Sequence, residues 1–289
     1  MSDVQASLLD GRAVADRLIG HVRDAVAVHV DRGGRRPGLA VVLVGDDAAS
    51  EVYVGNKIKA CERAGVLSRC HRLQHGVGRG ELLALIDSLN EDPEIDGILV
   101  QLPLPGHLDE KAVTARISPD KDVDGFHPYN IGRLAQRDPA LRPCTPRGVM
   151  SLLSAYDIDP KGRHVVVVGA SNIVGRPLAL EMLLAGATVT VAHRFTRDLE
   201  GHVNSADILC VAVGKPGVVE AQWVRRGAVL IDIGISRNRE GRIHGDLDHP
   251  ACAARAAWIT PVPGGVGPMT VATLLQNTAE AAGLVVRAP

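Results

Sequence analysis

Residues 38–65, GLAVVLVGDDAASEVYVGNKIKACERAG, decide how the rest of the chain is read. Leu39 to Val44 is an unbroken apolar run, as expected of a strand buried on both faces. Gly45-Asp46-Asp47 makes a turn that can also cap a helix. A helix then runs to about Gly65, whose missing Cβ suits a left-handed C-cap. On that helix Ser50, Tyr53 and Lys57 fall at i, i+3 and i+7, so they share one face. A hydroxyl, an aromatic ring and an amine just past the carboxyl end of a strand stand where open α/β sheets bind ligands. Helix pattern alone favours a plainer reading, a solvated lysine beside a partly buried tyrosine, and the rest of the chain shifts that balance.

Composition adds weight to these side chains. Only 2% of residues are aromatic, so Tyr53 is not part of a generic aromatic core. Lysine occurs six times (57, 59, 111, 121, 161, 215) among 32 basic residues. Where an arginine-rich chain uses lysine, an amine able to lose its proton has a use that guanidinium cannot serve.

The 289 residues, 46% hydrophobic and 22% charged with a net charge of -1, describe a soluble globular protein of two domains or one large α/β domain. That balance calls for no nucleic acid and no membrane surface. MSDVQASLLD lacks the basic and apolar regions of a signal peptide, and no apolar run approaches spanning length. The five cysteines (61, 70, 144, 210, 252) have no C-x-x-C spacing and read as reduced, mostly buried thiols of a cytoplasmic protein. Eleven histidines raise the question of a metal, but there is no H-E-x-x-H and no Cys/His cluster with zinc spacing, so none is expected. His71 and His75 read as solvated loop residues.

Working outward, a helical pattern covers 8–30, and strand and helix alternate through a strand near 66–73, a helix over 79–90 and a buried strand over 95–101. This order predicts a largely parallel sheet with both faces covered. Pro103 and Pro105 stop the last strand and leave Gln101 at the edge that launches the Lys57 helix. In Ser118 to Pro128, Asp120 and Asp122 read as acids of an exposed turn. Asp124 stands apart, because Gly125 lets the backbone approach a ligand and Phe126 anchors the loop.

From Gly148 the pattern restarts, with His164 to Val168 as a strand followed by Gly169-Ala170-Ser171-Asn172-Ile173-Val174-Gly175-Arg176-Pro177. A strand, a Gly-bracketed turn and a helix form the phosphate-binding opening of a dinucleotide domain, although Ala170-Ser171 replaces the usual middle glycine. A second strand, Thr188 to Ala192, ends in His193-Arg194. Arginine there suits a 2′-phosphate, where a carboxylate would suit ribose hydroxyls. Two more apolar strands, 206–213 and 228–233, complete a small four-stranded Rossmann sheet. A Pro/Gly loop over 260–268 and a helix from about Met269 to Leu284 follow.

Six motifs in order resemble the bifunctional methylenetetrahydrofolate dehydrogenase/cyclohydrolase family of one-carbon metabolism. They are Ala49-Ser50 through Tyr53 and Lys57, Gln101-Leu-Pro-Leu-Pro, Lys121-Asp-Val-Asp-Gly-Phe, Pro143-Cys-Thr-Pro-Arg-Gly148, the Gly169 to Pro177 turn, and Pro261 to Thr270. The resemblance implies a two-domain α/β fold: a folate-binding catalytic domain over 1–145 completed by a helix over 269–289, a Rossmann NAD(P)-binding domain over 146–268, and an active-site cleft between. It implies Lys57, Gln101, Tyr53 and Asp124 as catalytic residues. Ser50, Pro263, Gly264 and Gly265 join Tyr53, Gln101 and Asp124 in binding substrate, and Thr145, Gly169, Ala170, Ser171, Ile173, Val174, Arg194 and Ile235 hold the cofactor.

Many family members carry Arg where Ala170 stands and Ser where Arg194 stands. The pair is exchanged here, as in bacterial members, and NADP is expected over NAD. The implied reaction is oxidation of 5,10-methylenetetrahydrofolate to the methenyl cation, then hydrolysis to 10-formyltetrahydrofolate, a one-carbon donor for purine biosynthesis. Tyr53 stacks on the folate and Asp124 bonds the pterin's amino edge. Lys57, held by Gln101, moves the protons, because a cationic substrate close by favours the neutral amine. A homodimer through the Rossmann domain is also implied. Two other readings are a two-domain dehydrogenase of hydroxy or amino acids, which has no reason for the Tyr53, Gln101 and Asp124 set, and a non-catalytic dinucleotide sensor, which has no use for Lys57.

Overall fold

The computed structural model describes residues 6–237, 240–287 and 289. In chain order the elements are β1 (Ser7–Leu8), α1 (Gly11–Asp31), β2 (Gly38–Val44), α2 (Ala48–Ala64), β3 (Leu67–Leu73), α3 (Arg79–Glu91), β4 (Gly97–Val100), α4 (Glu110–Thr114), α5 (Pro128–Ala135) and α6 (Cys144–Ala155). Then come β5 (His164–Val168), α7 (Gly175–Leu184), β6 (Thr188–Ala192), α8 (Leu199–Asn204), β7 (Ile208–Val211), β8 (Val229–Asp232), β9 (Ser236–Arg237), β10 (Ile243–His244), α9 (His249–Ala253), β11 (Trp258–Ile259) and α10 (Val266–Ala281).

Two compact units result. One comprises residues 16–144 and the described residues from 271 onward. Its sheet has three parallel strands in the order β3-β2-β4. All seven residues of β2 are buried, which is why its sequence is apolar without alternation. Ala40, Val42 and Val44 pack with Leu82, Ile86 and Leu89 of α3 and with Ile98 and Val100 of β4. Each of the Val, Leu and Ile side chains among these contributes roughly 1.5–3 kcal/mol on leaving water, so β2 is the anchor of this unit. The edge strand β3 is half exposed and carries Arg69 and Arg72, paired with Asp92 and Glu51, charges that discourage a further strand from adding. His71, expected in a solvated loop, lies within β3 with its Nε2 buried, whereas His75 is exposed.

The other unit comprises residues 6–15 and 145–270. Its sheet has six strands in the order β1-β11-β8-β7-β5-β6, each parallel to its neighbours. The four strands expected from sequence are the central ones plus β6. The two added strands are each two residues long, too short to show periodicity. Pairing of Ser7 with Trp258 and Leu8 with Ile259 carries residues 6–15 into this unit, whereas the domain expected from sequence runs over 1–145. Asp10 N also donates to Tyr156 Oη at 2.9 Å, and Arg12 N to Gly264 O at 2.9 Å. The helix expected from residue 8 therefore begins at Gly11. Among the described residues no helix is long and apolar enough to cross a membrane.

Candidate active site

Asp47 caps α2, its carboxylate accepting from Ser50 N at 2.8 Å, and these bonds together with one to the Ser50 side chain hold its pKa below the usual carboxylate range. Gly65 closes the helix at φ 74°, as its sequence position suggests. Ser50 is therefore buried in the cap, while Tyr53, one turn before Lys57, is 38% exposed. Gln101 follows β4, and its N–H donates to Val42 O at 2.9 Å, which sets it at the carboxyl edge of β2. Its Nε2 donates to Leu102 O at 2.6 Å and its Oε1 accepts from Lys57 Nζ at 3.0 Å. With the NH2 group committed to Leu102, the amide can present only its oxygen to the lysine. A cationic or neutral amine can donate to that oxygen, so Gln101 fixes Lys57 in either protonation state.

Asp124 lies within the electrostatic reach of the same amine. Burial pushes its pKa up to about 6; the Lys57 charge pulls it back, Asp122 pushes it further, and the neighbouring Cys144 thiol lowers it. The loop carrying Asp124 is fixed from two directions. Asn277 of α10, fully buried, donates through Nδ2 to Val123 O and to Arg142 O, each at 2.8 Å. Cys144 Sγ donates to Val123 O at 3.1 Å, and Cys144 N to Asp124 O at 3.2 Å. Asn277 leaves no sequence signal beyond a buried-type helix face interrupted by an amide, and Cys144 enters the sequence reading only as a buried thiol within the Pro143–Gly148 motif.

Two readings of this loop are corrected. Asp122, expected in an exposed turn with Asp120, is 1% exposed and accepts from His127 N at 2.7 Å and Asn130 Nδ2 at 3.0 Å, its pKa raised by burial. Asp120 is exposed as expected. The bareness of Gly125, expected to serve a ligand, is required by the chain itself: at φ 79° a Cβ there would stand 2.4 Å from Arg142 C, where the chain crosses itself.

In the other unit the turn after β5 folds tightly onto α7. A Cβ at Gly169 would stand 2.2 Å from Ala212 O, and one at Gly175 would stand 1.9 Å from Gly169 O. The start of a ten-residue helix is thereby held against the end of its strand, with the N-terminal dipole of α7 at the mouth of the turn. Ser171 Oγ accepts from Val174 N at 3.1 Å. Ala170 and Val174 are half-buried and Ile173 is 41% exposed. This Cβ-free cradle fits a dinucleotide diphosphate. Arg176 Nε is engaged with Ala170 O at 3.0 Å, whereas the Arg194 guanidinium is exposed and stacks 4.6 Å from the centre of the Phe195 ring. Gly169 N donates to Ala192 O at 2.9 Å, so Gly169 and Arg194 leave adjacent strand ends.

Ile235, 42% exposed, follows β8. Thr145 Oγ1 meets Thr270 Oγ1 at 2.9 Å. Pro263, Gly264 and Gly265 belong to this same unit, their loop tied by Gly265 N to Pro261 O at 2.8 Å.

Residues 9–124 match the family model of the tetrahydrofolate dehydrogenase/cyclohydrolase catalytic domain, and residues 143–285 that of the tetrahydrofolate dehydrogenase/cyclohydrolase NAD(P)-binding domain. The chain is 45% identical to the bifunctional FolD methylenetetrahydrofolate dehydrogenase/cyclohydrolase of Campylobacter jejuni, over 96% of this chain and 99% of that one, with a TM-score of 0.94. The chain belongs to the tetrahydrofolate dehydrogenase/cyclohydrolase family. Another family structure similar to it is the methylenetetrahydrofolate dehydrogenase of the silkworm Bombyx mori, 40% identical with a TM-score of 0.91, covering 96% of this chain and 98% of that one. The Trypanosoma brucei FolD, complexed with NADP and an inhibitor, is 39% identical with a TM-score of 0.91, covering 96% and 97%. In this family member the Lys57–Gln101 pair and Asp124 stand in or at the end of the catalytic-domain match, and the Gly169 turn stands in the NAD(P)-binding match.

Proposed function

We propose that this chain oxidises 5,10-methylenetetrahydrofolate with NADP and hydrolyses the 5,10-methenyl product to 10-formyltetrahydrofolate. The observation that carries the reading is the Lys57 Nζ to Gln101 Oε1 bond within a family catalytic domain, because hydride transfer alone has no need of an oriented amine. When bound, the nicotinamide supplies the hydride acceptor. The Gly169–Gly175 turn would take the diphosphate, Ser171, Ile173, Val174 and Ile235 would flank it, and Arg194 would take the 2′-phosphate. On the folate side Tyr53 offers a ring face to stack on, and ionised Asp124 accepts from the pterin's amino group. Lys57 removes a proton from the water that adds to the methenyl carbon, and Gln101 keeps the amine aimed as the ring opens. Net hydrolysis of the cation releases one proton.

The test is a substrate panel. NADP reduction is expected with methylenetetrahydrofolate and absent with hydroxy or amino acids; the opposite pattern would favour another two-domain dehydrogenase, and binding without turnover a sensor.

Asp124 gives this reading a pH signature. Its folded pKa of about 6 lies above the ordinary value near 3.9, so folate affinity should fall as pH drops through about 6 and the acceptor is protonated. For stability the sign is opposite: the contribution is full at low pH and is lost as pH rises through about 6. Asp124→Ala should therefore weaken folate binding by about tenfold at neutral pH, near 1.5 kcal/mol, and flatten its pH dependence, with NADP binding unchanged. Calorimetric titration from pH 5 to 8 checks it; loss of NADP affinity instead would mean the loop serves the cofactor.

A cytoplasmic homodimer supplying purine biosynthesis completes the proposal. All five cysteines are free, which suits a reducing compartment. Strand β6 is an open sheet edge with Val191 exposed and Phe195 just beyond it, which suits pairing through the NAD(P)-binding domain.

A further inference from the structure

Two acids of the NAD(P)-binding unit take no part in the chemistry above. Asp232 ends β8 and Asp246 follows β10, and they are 2% and 1% exposed. Asp246 Oδ2 accepts from Val213 N at 2.8 Å and Gly214 N at 2.9 Å, residues of the segment leaving β7. Asp232 in turn accepts from Asp246 N and Leu247 N, each at 3.0 Å, so one carboxylate holds the backbone that carries the other. The packing admits no side chain between them: a Cβ on Gly234 would stand 2.0 Å from Asp246 Cγ, and one on Gly245 would stand 2.0 Å from Asp232 Oδ2. Asp246 Oδ1 is buried without a hydrogen-bond partner. Burial pushes Asp232 up to about 6, with the Asp246 charge adding to the rise.

Two adjacent buried acids are costly for a fold, and a buried acceptor without a donor costs further. What the arrangement fixes is the carboxyl end of the sheet. Strand β7 lies between β5, which ends in the Gly169 turn, and β8, which leads through Gly234 to Ile235. Gly214 O also accepts from Ser236 Oγ at 3.2 Å, which ties the same turn to β9. In open α/β sheets a dinucleotide lies across these strand ends.

We infer that Asp246 is a positioning residue of the cofactor site, acting through Val213 and Gly214 on one strand end and through Gly234 on the next. It does not touch the reacting atoms; it turns two N–H groups inward and holds the surface that the cofactor lies on. This rests on the NADP reading above.

The experiment compares wild type, Asp246→Ala and Asp246→Asn by calorimetric titration with NADP, alongside hydrolysis of the methenyl compound. Alanine removes the acceptor and should raise the NADP dissociation constant at least tenfold. Asparagine keeps an oxygen for Val213 and Gly214 and can place its NH2 where Oδ1 lacks a partner, so it should recover affinity to within about threefold of wild type. Hydrolysis should stay within twofold in both variants. Unchanged NADP affinity in Asp246→Ala, or equal losses in binding and hydrolysis, overturns the inference. A wild type that fails to bind NADP refutes the proposed function instead. If alanine does not fold, amide exchange on the wild type decides: Val213 and Gly214 should be protected although Gly214 is exposed, and fast exchange at both overturns the inference.

Discussion

Lys57→Met should lower hydrolysis of 5,10-methenyltetrahydrofolate by on the order of 10²–10⁴-fold while folate still binds, the range expected when a positioned proton-transfer group is lost. Methionine keeps the length and apolar stem of lysine, so α2 and its packing should survive, but it carries no proton and cannot donate to Gln101 Oε1. Folate affinity, measured calorimetrically, should change far less than turnover, because Tyr53 and Asp124 remain. Unchanged hydrolysis would remove Lys57 from the mechanism. Loss of folate binding in step with turnover would make the lysine a binding charge.

Arg194→Ser should lower kcat/KM with NADP by on the order of tenfold to a hundredfold, about 1.5–3 kcal/mol, and change the NAD rate little. Ala170 brings no charge to the phosphate turn, and Arg176 is occupied by Ala170 O. The Arg194 guanidinium is exposed beyond β6, its plane supported by the Phe195 ring, where it can grip a phosphate through two parallel bonds. Ribose hydroxyls offer no equivalent. Adding Ala170→Arg should restore part of the preference if the two positions exchange roles. Equal losses with both cofactors, or none with either, would rule out Arg194 as the selecting residue.

The sequence made some of this legible because the physics there is local. Asp47 and Gly65 announce the two ends of α2, and a seven-residue apolar strand must be covered on both faces. Gln101 could be placed opposite Lys57 because prolines end its strand at the edge where α2 starts. Non-local features escaped. β1 and β11 are too short for periodicity, so the sequence shows four strands of this sheet and no sign that residues 6–15 join it. Asp122 and Asp246 look like loop acids in one dimension; only the fold supplies the N–H groups that bury them. Gly125 reads as room for a ligand because a glycine shows that a Cβ is excluded but not what excludes it.

The most direct test of the central claim, that one chain performs both steps, uses methylenetetrahydrofolate carrying two deuterons on the bridging carbon, with NADP and the unmodified protein. The account predicts one deuteron at C4 of the reduced nicotinamide and one retained in the formyl group of 10-formyltetrahydrofolate, formed faster than the methenyl compound hydrolyses in buffer. Reduced cofactor without deuterium, or labelled methenyl compound that accumulates and hydrolyses only at the buffer rate, would contradict it.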